Sequence, residues 1–293
     1  MLSFTRAGAV ATPTTVQIRL TRRFPGRVAA GAPLPSRSLT FAELEDNLRY
    51  FTHGLRGPRT RPCTALVLSG LGLTDFEDLE RALALARELG FERITAHTSA
   101  KDPALGPLAR LVDAVAVTIR RVDQVQVLGR IGDGLNRTTV VVPLVGEVLA
   151  TAGDLAGALA AAGPGRVVLT WPFPPAEDVP GASEAAAVLP EMLEHLDRVG
   201  VIAGIKGLPA CVVGSEQRLW RSQNRWYVDA EHQRAQALKF FPDVVRFEKA
   251  DVCRFCRVGG RCDGAPGAWM DAGLVGPLRP IEPSESDVDG TGP

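Results

Sequence analysis

Thr64-Ala-Leu-Val-Leu-Ser-Gly-Leu-Gly-Leu-Thr-Asp-Phe-Glu-Asp-Leu-Glu80, continued by Ala82-Leu-Ala-Leu-Ala-Arg-Glu-Leu-Gly-Phe-Glu-Arg-Ile-Thr-Ala-His-Thr-Ser99, reads as one strand–helix–strand unit. Ala65–Ser69 is a short apolar run closed by Gly70, and Arg93–His97 is the next strand candidate. Between them a helix is expected over Asp75–Leu89. Thr74 can cap it, Glu77 stands three residues on as a capping-box partner, and Gly90 follows as a stop. Phe76, Leu79, Leu83 and Ala86 fall at three- and four-residue spacing, the mark of one apolar helix face.

The same alternation extends in both directions. Further strand candidates are Thr15–Leu20, Ala114–Ile119, Thr139–Leu144 and Arg166–Trp171. Helices are expected at about Thr40–His53, Leu105–Leu111, Val122–Ile131, Val145–Ala162 and Ser183–Val199. Repeated strand–helix units imply right-handed crossovers and a parallel sheet with helices outside it. The fold class is therefore α/β, either an open doubly wound sheet or, as we read it, a partial (β/α)6 barrel. After Gly200 the rhythm breaks: Val201–Ile205 leads into Lys206-Gly-Leu-Pro-Ala-Cys211, then an expected helix around Asp229–Phe240, then a cysteine loop. The division expected is an N-terminal tail over 1–13, a barrel over 14–203, a metal-binding extension over 204–281 and a disordered acidic tail over 282–293.

Composition removes several functions. Lysines and arginines balance aspartates and glutamates at 33 each, so the chain lacks the basic footprint of a nucleic-acid or membrane-surface protein. Only 6% of residues are aromatic, and none interleave with basic runs as a base-stacking surface would need. Met1–Pro13 holds no apolar run suited to a signal sequence, and no later stretch approaches membrane-spanning length, which leads us to expect a cytoplasmic protein.

Four of the five cysteines form one constellation: Cys211, and Cys253, Cys256 and Cys262 in C-x2-C-x5-C spacing. One loop can wrap the last three around a single centre, with Cys211 the spare cysteine on that half of the chain. Four thiolates describe a closed site, an iron–sulfur cluster or structural zinc. A disulfide or unrelated buried thiols would be the plainer reading; a C-x-x-C without a secretory signal points instead to metal. Cys63 stands alone and reads as a buried structural thiol.

The Thr64–Ser99 stretch resembles the second β/α unit of radical S-adenosylmethionine (SAM) enzymes, where a strand ends in Ser-Gly-Gly-Glu-Pro and the next ends near His-Thr-Asn-Gly. Gly207-Leu-Pro-Ala-Cys211 and the Cys253, Cys256, Cys262-Asp-Gly run are similar to extensions of members that carry an auxiliary cluster. The resemblance spans about Thr15 to Ile281. It implies a partial barrel and a [4Fe-4S] cluster on Cys211, Cys253, Cys256 and Cys262, with zinc as the alternative. The family's catalytic C-x3-C-x2-C is absent: the corresponding positions are Phe24, Val28 and Gly31, and no Cys, His, Asp or Glu lies between Gln17 and Ala42. The SAM-contacting turn reads Ser69-Gly70-Leu71-Gly72, without its carboxylate. SAM cleavage needs a cluster with one iron left open, and Phe and Val cannot ligate iron. The resemblance is thus to a degenerate member with no catalytic residue and no SAM use of the ordinary kind. Such a chain would be an accessory or substrate-presenting subunit in peptide or natural-product modification, partnered by an active radical SAM paralogue or a peptide substrate. Two other readings stay open: a SAM-dependent enzyme using non-radical chemistry or a partner's cluster, and a zinc-stapled binding module.

Weaker features remain. Arg19, Arg22, Arg23, Arg27 and Arg37 crowd a segment without acids, either an anion pocket at the strand ends or a solvated basic loop. His97 faces the expected cavity but reads more simply as a structural histidine. Trp171-Pro-Phe-Pro-Pro175 would form a rigid aromatic mouth or an ordinary turn. Arg221-Ser-Gln-Asn-Arg-Trp-Tyr-Val-Asp229 is distinctive but suggests no mechanism.

Overall fold

Strands come first because they set every other position. β1 (Thr15–Arg19), β2 (Ala65–Ser69), β3 (Arg93–Ser99), β4 (Ala114–Thr118), β5 (Thr138–Pro143), β6 (Arg166–Thr170) and β7 (Ile202–Lys206) lie side by side in chain order, each parallel to the next. The computed structural model describes residues 13–21, 37–53, 62–174, 176, 178–214, 218–221 and 223–282. The expected tails and residues 22–36 of the arginine-rich loop lie outside those ranges, apart from residues 13 and 282 at their inner ends.

The helices α1 (Phe41–Thr52), α2 (Leu79–Glu88), α3 (Leu105–Leu111), α4 (Gly146–Leu149), α5 (Ala152–Ala162), α6 (Ala182–Ala187) and α7 (Leu189–Arg198) occupy the connections. α1 begins where the sequence says it should: Thr40 Oγ1 accepts from the Glu43 amide and the Glu43 carboxylate accepts from the Thr40 amide, a complete capping box. α2 starts later than expected. Thr74 Oγ1 donates instead to Asp102 Oδ1 at 2.6 Å, leaving a 3-10 turn over Leu73–Asp75, and the helix begins only at Leu79. The Val122–Ile131 segment is also 3-10 rather than α, in keeping with its valines and Gly129.

Two corrections concern the sheet. The run after Gly200 is not an exit from the barrel but β7, so the boundary expected between 203 and 204 falls inside a strand. Beyond it, Leu219 bridges Ile205 on the outer side of β7, whereas β8 (Trp226–Val228) pairs in parallel with β1 at the opposite edge. The segment between Leu219 and Trp226 therefore straps the two edges of the open barrel together. Gly204 makes room for it: a Cβ there would come within 2.2 Å of the Trp220 ring. β9 (Leu238–Lys239) returns antiparallel on β8, replacing the expected helix at Asp229–Phe240. Asp229 Oδ1 accepts from the amides of Glu231 and His232, a local turn that diverts the chain from helix.

The sheet has two unlike faces. Toward the helices stand Ile18, Leu68, Ala96, Val117, Val140 and Leu169, all buried, the valines, leucines and isoleucine contributing roughly 1.5–3 kcal/mol each. Register places Gln17, Ser69, His97, Thr118, Thr170 and Lys206 on the inner row, where positions on β2–β5 alternate between buried and partly exposed. The inner face is a polar lumen whose positions are at most partly exposed.

Candidate metal centre

The cysteine loop hangs from a small hairpin. β10 (Phe247–Glu248) pairs antiparallel with β11 (Ala265–Pro266), and the residues between them carry Cys253, Cys256 and Cys262. Cys253 sits in a 3-10 turn over Asp251–Phe255. The next turn folds tightly over it: Gly259 donates to Cys256 O at 2.9 Å, and a Cβ on Gly259 would lie 2.9 Å from Cys253 O. Lys249 Nζ donates to Gly259 O at 2.5 Å and ties the loop across its width. Cys211 arrives from the other side, in the short helix α8 (Ala210–Val213) that follows β7.

These elements bring the four expected cysteines around one cavity, lined also by Lys249, Gly259, Gly264, Leu278 and Arg279. All four are free thiols, and backbone amides point at their sulfurs. Cys262 Sγ accepts from Gly264 at 3.3 Å and Ala210 at 3.4 Å, Cys256 Sγ accepts from Ile281 at 3.3 Å, and Cys211 accepts from the Arg279 backbone. Amide donors aimed at sulfur favour thiolates, and they are the usual means of tuning a thiolate-held cluster. Burial pushes the Cys211 and Cys253 thiols up, and the neighbouring thiolates add to it: Cys262 and Cys256 act on Cys211, and the other three on Cys253. A bound cation would reverse that repulsion.

The size of the ring bears on what fits. Tetrahedral zinc, with Zn–S bonds of about 2.3 Å, holds thiolates roughly 3.8 Å apart. Among the described residues no three His, Cys, Asp or Glu gather closely enough to hold one metal ion.

Other expected residues are placed apart. Cys63 is buried in the main core, its Sγ 3.9 Å from Pro13 O. Arg37 is exposed and pairs with Glu43, the solvated-loop behaviour, whereas Arg19 is buried in the lumen with Nη1 donating to Tyr227 Oη at 3.4 Å. No aromatic mouth forms: Trp171 is fully buried with Nε1 donating to Pro180 O, and Phe173 packs on Phe240 and Phe247. His97 faces the lumen, as expected, within hydrogen-bond reach of Thr118 Oγ1 at 3.3 Å. Sequence reading missed Lys249, Lys206 and Arg225. The polar period-two pattern Gln17/Arg19 and Thr95/His97/Ser99 was the available signal for an unfilled inner face.

Two solved structures share this architecture. Native anSMEcpe with bound AdoMet aligns with a TM-score of 0.58 at 7% identity, covering 91% of this chain and 92% of that one. Native anSMEcpe with bound AdoMet and Cp18Cys peptide aligns with a TM-score of 0.55 at 8% identity and the same coverages. The fold is radical-SAM-like. No family model and no curated protein matches the sequence. At such identity the agreement concerns the fold alone.

Proposed function

We propose that the chain binds one iron–sulfur cluster on Cys211, Cys253, Cys256 and Cys262, does not itself cleave SAM, and serves as an accessory or substrate-presenting subunit beside an active radical SAM enzyme. The observation that carries this reading is the common cavity of the four cysteines, with amides directed at three of the sulfurs. When bound, such a cluster would supply one-electron storage or relay. The chain's own part is to hold the thiolates, close the site on all four corners and screen it with the Leu278–Ile281 segment. A four-thiolate site leaves no corner for SAM, and the loop between Gln17 and Ala42 contains no replacement ligand. The Cp18Cys peptide named for the second neighbour supports a peptide as the presented molecule.

The test is anaerobic purification with iron, sulfide and zinc analysis, followed by incubation with reductant and SAM. About four iron and four sulfide per chain, and no 5′-deoxyadenosine above background, are expected. Zinc alone would establish the stapled binding module instead. Sustained 5′-deoxyadenosine production abolished by Cys253→Ala would overturn the non-catalytic reading.

A further inference from the structure

In a filled β/α barrel the inward positions carry branched apolar side chains stacked in layers. Here none of β1–β8 contains an aspartate or glutamate, while the inner row carries Arg19, His97 and Lys206 at or near the carboxyl ends of their strands. β8 adds to the row, since Tyr227 stands level with Gln17 and Arg225 lies two residues earlier on the same side. Arg225 is held in place: its Nε donates to Gln17 Oε1 at 2.5 Å, and its guanidinium carbon lies 4.0 Å from the centre of the Phe240 ring. Arg120, two residues beyond Thr118, has a buried Nη2 with no hydrogen-bond partner among the described residues.

Among the described residues, the carboxylates near these charges are shared with other partners. Asp229 Oδ1 is engaged by the Glu231 and His232 amides and by His232 Nδ1. Asp263 acts on Lys206 but also lies 3.6 Å from Arg221 Nε. Lys206 and Arg225 act on each other and on His97, so two cations and a neutral imidazole share one recess. Gathering cations away from water is costly unless something negative joins them. The residues come from four widely separated segments and are brought together only by the sheet and its strap, which makes the cluster a product of the fold and not of a basic stretch. Burial with Arg225 and Lys206 holds His97 down to about 4, so it is neutral at physiological pH and available as a hydrogen-bonding group. Burial and Arg225 hold Lys206 down to about 8, with Asp263 opposing, which leaves it mostly charged there.

We infer that the lumen is a binding site for the phosphate or carboxylate group of a small molecule, with Lys206 and Arg225 as its cationic partners. This site is separate from the cysteine centre and stands whether or not that centre holds a cluster. Guanidinium groups offer paired donors to oxyanions, the lysine a point charge, and the carboxyl ends of parallel strands are where such folds receive ligands.

The experiment is thermal unfolding and calorimetric titration of the full chain with inorganic phosphate and with succinate, each against chloride at equal ionic strength. A saturable rise in Tm and measurable binding heat with at least one anion are expected; a response to phosphate alone identifies a phosphorylated ligand, and to succinate alone a carboxylate. Lys206→Met should weaken that binding at least tenfold while leaving the anion-free Tm at or above wild type, since it removes a repelled charge. Lys206→Arg should keep the response, and Arg225→Gln should lose it. The inference is overturned if wild type shows no saturable response to either anion, or if Lys206→Met and Arg225→Gln bind as wild type does.

Discussion

The lumen and the cysteine cavity are both polar recesses, but they are built by opposite means. Lumen residues sit on parallel strands whose outer faces are locked by Ile18, Leu68, Val117 and Leu169, so their positions are fixed with or without an occupant. The cysteines sit on turns, a one-turn helix and a hairpin, elements of only two to five residues each. Phe255 and Val252, on the same loop as Cys253 and Cys256, are exposed. The first recess is organised by the core. On the proposed reading the second depends on the metal its thiols hold, because metal binding and local folding are coupled.

The sharpest way to break this contrast is to remove the metal. Cys256→Ala should release it and open the loop between β10 and β11 to protease and hydrogen exchange, while the strands β1–β7 keep their protection. Loss of protection across the whole sheet would mean that the two regions are one cooperative unit. The next effect belongs to the lumen. His97 titrates at about 4 in the fold against an ordinary 6.5, first through burial and then through Arg225 and Lys206. The unfolded chain therefore takes the proton first, and stability falls as pH drops from 6.5 toward 4, by on the order of 2–3 kcal/mol. Denaturant titrations at several pH values should show that slope, and His97→Asn should flatten it.

A third test strikes the strap that completes the lumen. Gly204→Ala places a methyl against the Trp220 ring and should cost about 1–3 kcal/mol through overpacking, read as a lower denaturation midpoint. Metal content should be retained if the cysteine loop is independent of the strap. Smallest of all is Cys63→Ala, deep in the main core, which should cost about 1 kcal/mol and leave metal content unchanged. Metal loss there, with retention in Cys211→Ala, would reassign the ligands.

What could be read from the residues follows the same division. Strands declared themselves because their outward positions are aliphatic at fixed spacing, and the cysteines because C-x2-C-x5-C leaves few alternatives. The capping box at Thr74 and the helix at Asp229–Phe240 failed for a shared reason: a side chain found a better partner, Asp102 for Thr74 and the local amides for Asp229. The aromatic mouth failed because the Trp171 ring turned inward to reach Pro180. The cation cluster was illegible because Arg19, His97, Lys206 and Arg225 come from separate segments of the chain, and only the sheet sets them on one face.

The strap has a temporal consequence. β1 is made before every other strand of its sheet, yet one of its two edges is paired by residues 226–228. Its hydrogen-bonding groups on that side must wait through the synthesis of some two hundred residues, with β2 as its only neighbour in the sheet. Pairings of such long separation form late and slowly. The half-closed chain thus presents a bare strand edge during its own production, and the last piece to seal it comes just before the cysteine loop. Sealing and completion of the cysteine loop therefore follow one another late in the making of this fold, so any metal the thiols take would meet a sheet already built and waiting only for its cover.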